Sequence, residues 1–183
     1  MRIIIRGIKE REEFIDYLKK HLPNAEWCYD EKKNAMDPFL RAMKMAGDDP
    51  CIFMEEDIII TKDFYKKALK VIAQKPFSLI QFFSMRKDDI RIGSRWDNNY
   101  MMNQCHYHPP TYSKQILEFY NIWGEKNKHP HGCDTMMQKW LKLRKEKYWI
   151  SVPSLVQHRI AKSMIDPRRS SKRQSLTFED GIE

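Results

Sequence analysis

The sequence predicts an α/β protein in which a mainly parallel sheet carries helices on both faces. Up to Phe83 the chain alternates short β-branched or aromatic runs with amphipathic helical stretches, three times over. The strand runs are apolar at successive positions, as expected of strands covered on both sides. Charged residues end the first three runs, at Arg6, at Asp30 and at Glu55-Glu56-Asp57. In sheets of this kind ligands gather beyond the carboxyl ends of the strands, so these charges belong on one rim.

Ile3-Ile4-Ile5 reads as a buried first strand ending at Arg6-Gly7. A helix follows from about Glu10 to His21, with acids early, Lys19 and Lys20 late, and a stripe of Phe14, Leu18 and Leu22. Pro23 ends it, and Ala25 to Tyr29 forms the second strand. After a polar loop, Asp37 and Pro38 mark a helix start, as an N-cap followed by proline, and Gly47 marks its end. The third strand is Cys51 to Met54. Thr61 reads as the cap of a helix carrying Phe64, Ala68, Val71 and Ile72, and Phe77 to Phe83 as the next strand. Ser84 to Asn99 reads as a surface loop, and Tyr100 to His108 as a strand lining a cleft. A helix from Thr111 is stopped at Gly124, another begins at Asp134 or Thr135, and Tyr148 to Val152 is the last strand.

At 183 residues the chain is expected to be one domain, residues 1–165, followed by a basic, flexible tail over 166–183. An apolar fraction of 42% belongs to a folded protein, and a net charge of +8 favours anionic partners. The four cysteines show no C-x-x-C pair and sit in or beside apolar segments, which predicts buried reduced thiols. Ile3-Ile4-Ile5 is too short for a signal peptide core, and no run could span a bilayer, so the expectation is a soluble cytoplasmic protein.

Three consecutive acids inside a hydrophobic run need an explanation, because each buried, unpaired carboxylate costs several kcal/mol. Either they face water at a strand end, or they hold something positive. Side chains two apart on an extended segment share a side, so Glu55 and Asp57 could converge on a hard divalent cation.

The segment from Phe53 through Glu55-Glu56-Asp57 to Phe64 resembles the metal-binding stretch of GT-A-fold glycosyltransferases. The chain also resembles small glycosyltransferase-like proteins of phages and prophages. Asp30, the pair Arg41-Ala42, the acid triplet and Val152-Pro153-Ser154-Leu155-Val156-Gln157-His158 carry that resemblance, which spans nearly the whole chain. Many members carry Glu-Asp or Asp-Asp where this chain has Glu55-Glu56.

The resemblance implies a GT-A-like, Rossmann-like domain that transfers sugar from a nucleoside-diphosphate sugar to a hydroxyl, with Mn2+ or Mg2+ as cofactor. It implies Glu55, Asp57 and His158 as metal ligands, and Asp134 as the general base acting on the acceptor. Arg6, Asp30, Arg41, Glu56, Arg168 and Arg169 would contact the nucleotide-sugar, the arginines at phosphate and Asp30 at the base or ribose. The tail basic residues, with Ser163 and Arg173, would close over the diphosphate. Basic charge with Trp96, Tyr100, Tyr107 and Tyr112 near the cleft admits DNA as acceptor, through a hydroxymethylated pyrimidine. A metal-dependent nuclease and a non-catalytic nucleic-acid-binding protein are the alternative readings.

Overall fold

The computed structural model describes residues 1–100, 102–127, 132–164 and 173–182. Strands β1 (Arg2–Gly7), β2 (Glu26–Tyr29), β3 (Cys51–Glu55), β5 (Ile80–Gln81), β6 (Arg95–Asp97), β7 (Cys105–His108) and β8 (Tyr148–Ile150) form one sheet. Its order is β2-β1-β3-β7-β5-β8-β6. Strands β2, β1, β3, β5 and β8 run the same way, while β7 and the edge strand β6 oppose them. A second, two-stranded sheet pairs β4 (Ile58–Ile60) with β9 (Val156–His158), antiparallel.

Alternation along the central strands divides the core in two. Ile4, Cys51 and Phe53 face helices α2 (Met36–Ala46), α5 (Tyr112–Lys126) and α6 (Cys133–Leu143). Ile3, Ile5, Ile52 and Met54 face α1 (Glu12–His21) and α3 (Phe64–Gln74). The sheet is therefore covered on both sides, and the expected α/β class is the observed one. All four cysteines are buried and free. No helix among the described residues is long and apolar enough to cross a membrane.

Several local expectations are corrected by packing. Thr61 does not cap α3. It ends β4, where it bridges to Gly181 and donates its hydroxyl to the Glu179 carbonyl at 3.0 Å. Asp37 lies inside the first turn of α2, with Ala35 at the N-cap position. Gly124 does not stop α5, which runs on to Lys126. The run Phe77 to Phe83 contributes only Ile80–Gln81 as strand, and Phe77 is 80% exposed. The charged stretch expected to be a loop contains α4 (Asp89–Ile92) and β6, held by Arg86 on Asp97 and by Arg95 on Asp89. Those ion pairs give the charged segment a fixed place at the sheet edge.

β7 is a central strand packed between β3 and β5, and it places His106 and His108 in the core with no exposure. Nε2 of His108 lacks a hydrogen-bond partner, and the His106 ring has only a contact with the Asn103 backbone, outside good hydrogen-bond geometry. Burial, then His108 and Arg6, push the His106 imidazole well below its ordinary range, and burial and Arg6 bring His108 down to about 3. Both rings are neutral in the folded chain and titrate near 6.5 once unfolded. Their contribution to stability is present above that pH and is lost as pH falls toward the folded values. Substituting His106→Leu is therefore expected to raise stability at pH 7 by about 1–2 kcal/mol, because a buried and poorly satisfied imidazole leaves the core. It should also soften the acid limb. Calorimetric melting at pH 7 and pH 5 checks both; an unchanged Tm at each pH would refute the account.

Candidate active site at the strand ends

The parallel register sets the rim. Arg6 pairs with Glu55 across β1 and β3, Gly7 pairs with Tyr29 across β1 and β2, and the Asp30 amide donates to the Gly7 carbonyl at 2.8 Å. Arg6, Asp30 and Glu55 therefore share one edge, as the sequence predicts. A cleft opens there, lined by these three residues and by Arg11, Glu56, Asp57, Gln104, Asp134, Ser163, Met164 and Arg173.

Asp30 is buried, and its Oδ1 accepts the amides of Lys32 at 2.9 Å and Asn34 at 3.2 Å. Those two bonds fix the carboxylate and leave Oδ2 buried without a partner. Arg6 is 5% exposed and donates through Nη2 to the Asn103 carbonyl at 2.9 Å and to Glu55 at 3.3 Å. Its Nε has no partner. Cys133 opens α6 and its thiol is pushed up to about 12, chiefly by burial, with Arg6, Asp134 and Glu55 also acting on it. These three charges thus surround the start of α6. The helix is preceded by Gly132 at the N-cap position, so Asp134 stands within the first turn, and no side-chain cap is made at that end. The capping role open to Asp134 on sequence is not the one it takes.

The acid triplet does not behave as alternation predicts. β3 ends at Glu55, and Glu56-Asp57 forms a bend before β4. The bend breaks the two-residue period, so Glu55 turns to Arg6 while Glu56 and Asp57 meet the same guanidinium. Arg11 Nη1 donates at 2.8 Å to Glu56 Oε1 and at 2.8 Å to Asp57 Oδ2, and its Nη2 donates to the Lys162 carbonyl at 2.8 Å. Burial and the neighbouring Asp57 charge raise the Glu56 carboxyl, against the pull of Arg11. Burial works against ionisation of Asp57 too, but His158 and Arg11 overcome it and hold that carboxyl low. One proton-binding group and one anion thus sit side by side over one cation.

His158, on β9, is carried beside Asp57 by the pairing of Ile58 with His158. Its Nε2 lies 3.4 Å from Asp57 Oδ2 and 2.8 Å from Arg173 Nη2. The nitrogen can donate to the first or accept from the second, and the shorter contact is with Arg173. The tail segment bearing Arg173 is anchored: Gln174 donates to the His158 carbonyl, Ser175 Oγ to Ser154 Oγ at 2.8 Å, and Tyr17 to the Ile182 carbonyl at 2.8 Å.

The expected metal ligands Glu55, Asp57 and His158 do not assemble into a metal centre. Arg11 stands between Glu56 and Asp57, Arg173 meets the His158 nitrogen, and only Oδ1 of Asp57 is left without a partner on that carboxylate. Among the described residues no group of three His, Cys, Asp or Glu side chains could hold a metal ion. As arranged, these residues do not fit Mn2+ or Mg2+.

Arg41 does not line the cleft. Its guanidinium pairs with Asp37 at 2.9 Å, four residues earlier on α2, and with the Tyr29 carbonyl at 2.5 Å. Glu56 does line it. Arg168 and Arg169 lie outside the described residues, as do His129 and His131, which by their nearness to Asp134 in sequence are the weaker alternatives to His158. The aromatic residues expected at the cleft do not line it: Tyr107 and Tyr112 are core, Tyr100 is buried behind the cleft on Asn103, close to Arg6, Glu55 and Asp134, and Trp96 packs on Trp149 and Lys75 at the β6 edge. The aromatic support for a DNA acceptor is thereby removed. Arg11 is the site residue that sequence reasoning passes over. Its signal is its place in the loop leaving β1, on the same side as the rim charges.

The fold and site define an α/β protein with a charged cleft at the carboxyl ends of its strands. No family model matches the chain, and no curated protein matches it. Among solved structures it is similar to CTP:phosphocholine cytidylyltransferase from Streptococcus pneumoniae, at 13% identity over 86% of this chain and 72% of that one, with a TM-score of 0.48. It is also similar to a protein described as a glucose-1-phosphate thymidylyltransferase from Bacillus anthracis, at 13% identity, 85% and 69% coverage and TM-score 0.47. A third is an apo UDP-glucose pyrophosphorylase, at 11% identity, 82% and 72% coverage and TM-score 0.48. No role is carried from them to this chain.

Proposed function

We propose that the chain is a glycosyltransferase that moves a sugar from a nucleoside-diphosphate sugar, held in this cleft, to an acceptor hydroxyl. The observation that carries the reading is the meeting of Arg6, Asp30, Glu55 and Asp134, from four separate segments, on one cleft. Asp30, Arg6 and Asp134 each supply a different piece of the chemistry. The unpartnered Oδ2 of Asp30 is a fixed acceptor for a ribose hydroxyl or a base N–H. Arg6, buried with a spare Nε–H, is a donor for phosphate oxygen.

Asp134 is the base. As the acceptor oxygen attacks the anomeric carbon, its proton passes to the Asp134 carboxylate, and the bond from that carbon to the diphosphate oxygen breaks. Attack by the oxygen from the side opposite the leaving diphosphate inverts the anomeric centre. The partners are the nucleotide-sugar and a hydroxyl-bearing acceptor, and a carbohydrate or protein hydroxyl satisfies this chemistry as well as a nucleic acid does.

The test is a panel of nucleotide-sugars incubated with the full chain and scored for release of nucleoside diphosphate. Slow donor hydrolysis is expected, with one donor preferred. Absence of both binding and hydrolysis across the panel would remove the reading.

A further inference from the structure

We infer that the positive charge facing the acids of this cleft is built into the chain as arginine, so that a diphosphate binds here without a divalent cation. This rests on the reading of the cleft as a nucleotide-sugar site and specifies how that site holds its anion.

The first ground is the position of Arg11. Its guanidinium is fixed by Glu56, Asp57 and the Lys162 carbonyl, each at 2.8 Å, and it lies 5.6 Å above the Phe14 ring. The side chain is 11% exposed, and the carboxylates it joins are 7% and 10% exposed. A cation so enclosed already neutralises the acid pair. A metal ion entering between Glu56 and Asp57 would have to expel Arg11 and break all of these contacts together.

The second ground is that guanidinium donors stand unused in the cleft. Nε of Arg6 and Nε of Arg173 are buried, without hydrogen-bond partners, on residues lining the cleft. An unpartnered buried N–H of a charged group is costly, and an oxyanion is the group that satisfies it best. Diphosphate oxygens supply several such acceptors. Arg173 reaches the cleft from a segment pinned by Gln174 on the His158 carbonyl and Ser175 on Ser154, so its charge is held in place before any ligand arrives. Arg11 therefore acts as the internal counter-ion, and Arg6 and Arg173 act as the anion-binding pair.

The experiment is calorimetric titration of the full chain with inorganic pyrophosphate and with UDP, CDP, GDP, ADP and TDP, in excess EDTA and in excess Mn2+. At least one of these ligands is expected to bind with the same affinity in both. Arg173→Gln should weaken that binding about 10- to 100-fold in EDTA, the usual worth of a hydrogen bond to a charged group. Paramagnetic resonance of Mn2+ provides a readout apart from the ligand. The wild-type chain should leave Mn2+ free, and Arg11→Met should bind it, because the acid pair is then without its cation. If Arg11→Met does not fold, the Arg173→Gln titration and the wild-type resonance spectrum still decide the matter. Binding seen only with Mn2+, or tight Mn2+ binding by the wild type, overturns the inference and leaves the transferase reading standing. Failure of pyrophosphate and every diphosphate to bind in either condition overturns both.

Discussion

Replacing Arg11 with Met is expected to destabilise the folded chain by about 3–5 kcal/mol, the usual cost of removing one partner from a buried ion pair. Arg11 is the only cation within hydrogen-bonding distance of Glu56 among the described contacts, and it also holds Asp57. Without it, Glu56 is buried beside Asp57 with no cation to offset it, and Asp57 keeps only His158. The loss has a predictable pH dependence. The Glu56 carboxyl would then lie still further above its unfolded value, so the deficit is largest where the unfolded chain is ionised and the folded chain resists ionisation. Stability of the variant should therefore recover as pH falls from about 8 toward about 5. For a domain of this size the loss at neutral pH corresponds to roughly 6–20 °C in Tm. Denaturant titrations at both pH values check the sign. A variant that loses less than about 1 kcal/mol at pH 8 would show that the guanidinium is not the counter-ion.

Replacing Asp134 with Asn is expected to lower turnover by about 10²- to 10⁴-fold, the range supplied by a general base. Asn keeps the shape and the place in the first turn of α6 but cannot take a proton. Asp134 lines the cleft with Arg6 and Glu55, and Asn matches its size and polarity there, so donor affinity should change far less than turnover. The informative comparison is kcat against donor affinity measured by calorimetry. A fall in affinity with unchanged kcat would assign Asp134 to donor binding; unchanged values of both would remove it from the site. In the active wild type, the anomeric configuration of the first product, read by nuclear magnetic resonance, should be inverted relative to the donor.

The rim was legible because strands announce where they stop. Ile3-Ile4-Ile5, the run ending at Tyr29 and Cys51 to Met54 each meet a charge at the carboxyl end, and parallel pairing then brings Arg6, Asp30 and Glu55 together. Asp134 was legible for a similar reason, since a carboxylate after Gly132 opens a helix whose apolar face is plain. What lay beyond local pattern was partner choice. The strand period that joins Glu55 to Asp57 fails at a bend, and the bend exists because Ile58–Ile60 leaves the main sheet to pair with β9, about a hundred residues later. Arg11 and Arg173 carry ordinary surface-type sequence context, and only tertiary pairing turns one into a buried counter-ion. Tyr100, Tyr107 and Tyr112 failed in the opposite sense. An aromatic ring suits a binding cleft and a core equally well, and here the core of β7 and α5 takes them.

The strap of residues 173–182 bears on how this protein comes into being. Gly181 bridges to Thr61, Ile182 receives the Tyr17 hydroxyl, and Arg173 and Lys162 bracket a site whose other residues begin at Arg6. A ribosome delivers the rim charges of β1 long before the segments that complete the cleft. During synthesis Glu56 and Asp57 can meet Arg11 early, whereas the Lys162 carbonyl that braces its other arm, and Arg173 across the cleft, arrive much later. Such wide sequence separation slows assembly, because the loops must close before the contacts can form. A nascent chain that has not yet presented residues 173–182 carries most of the core yet an unfinished cleft.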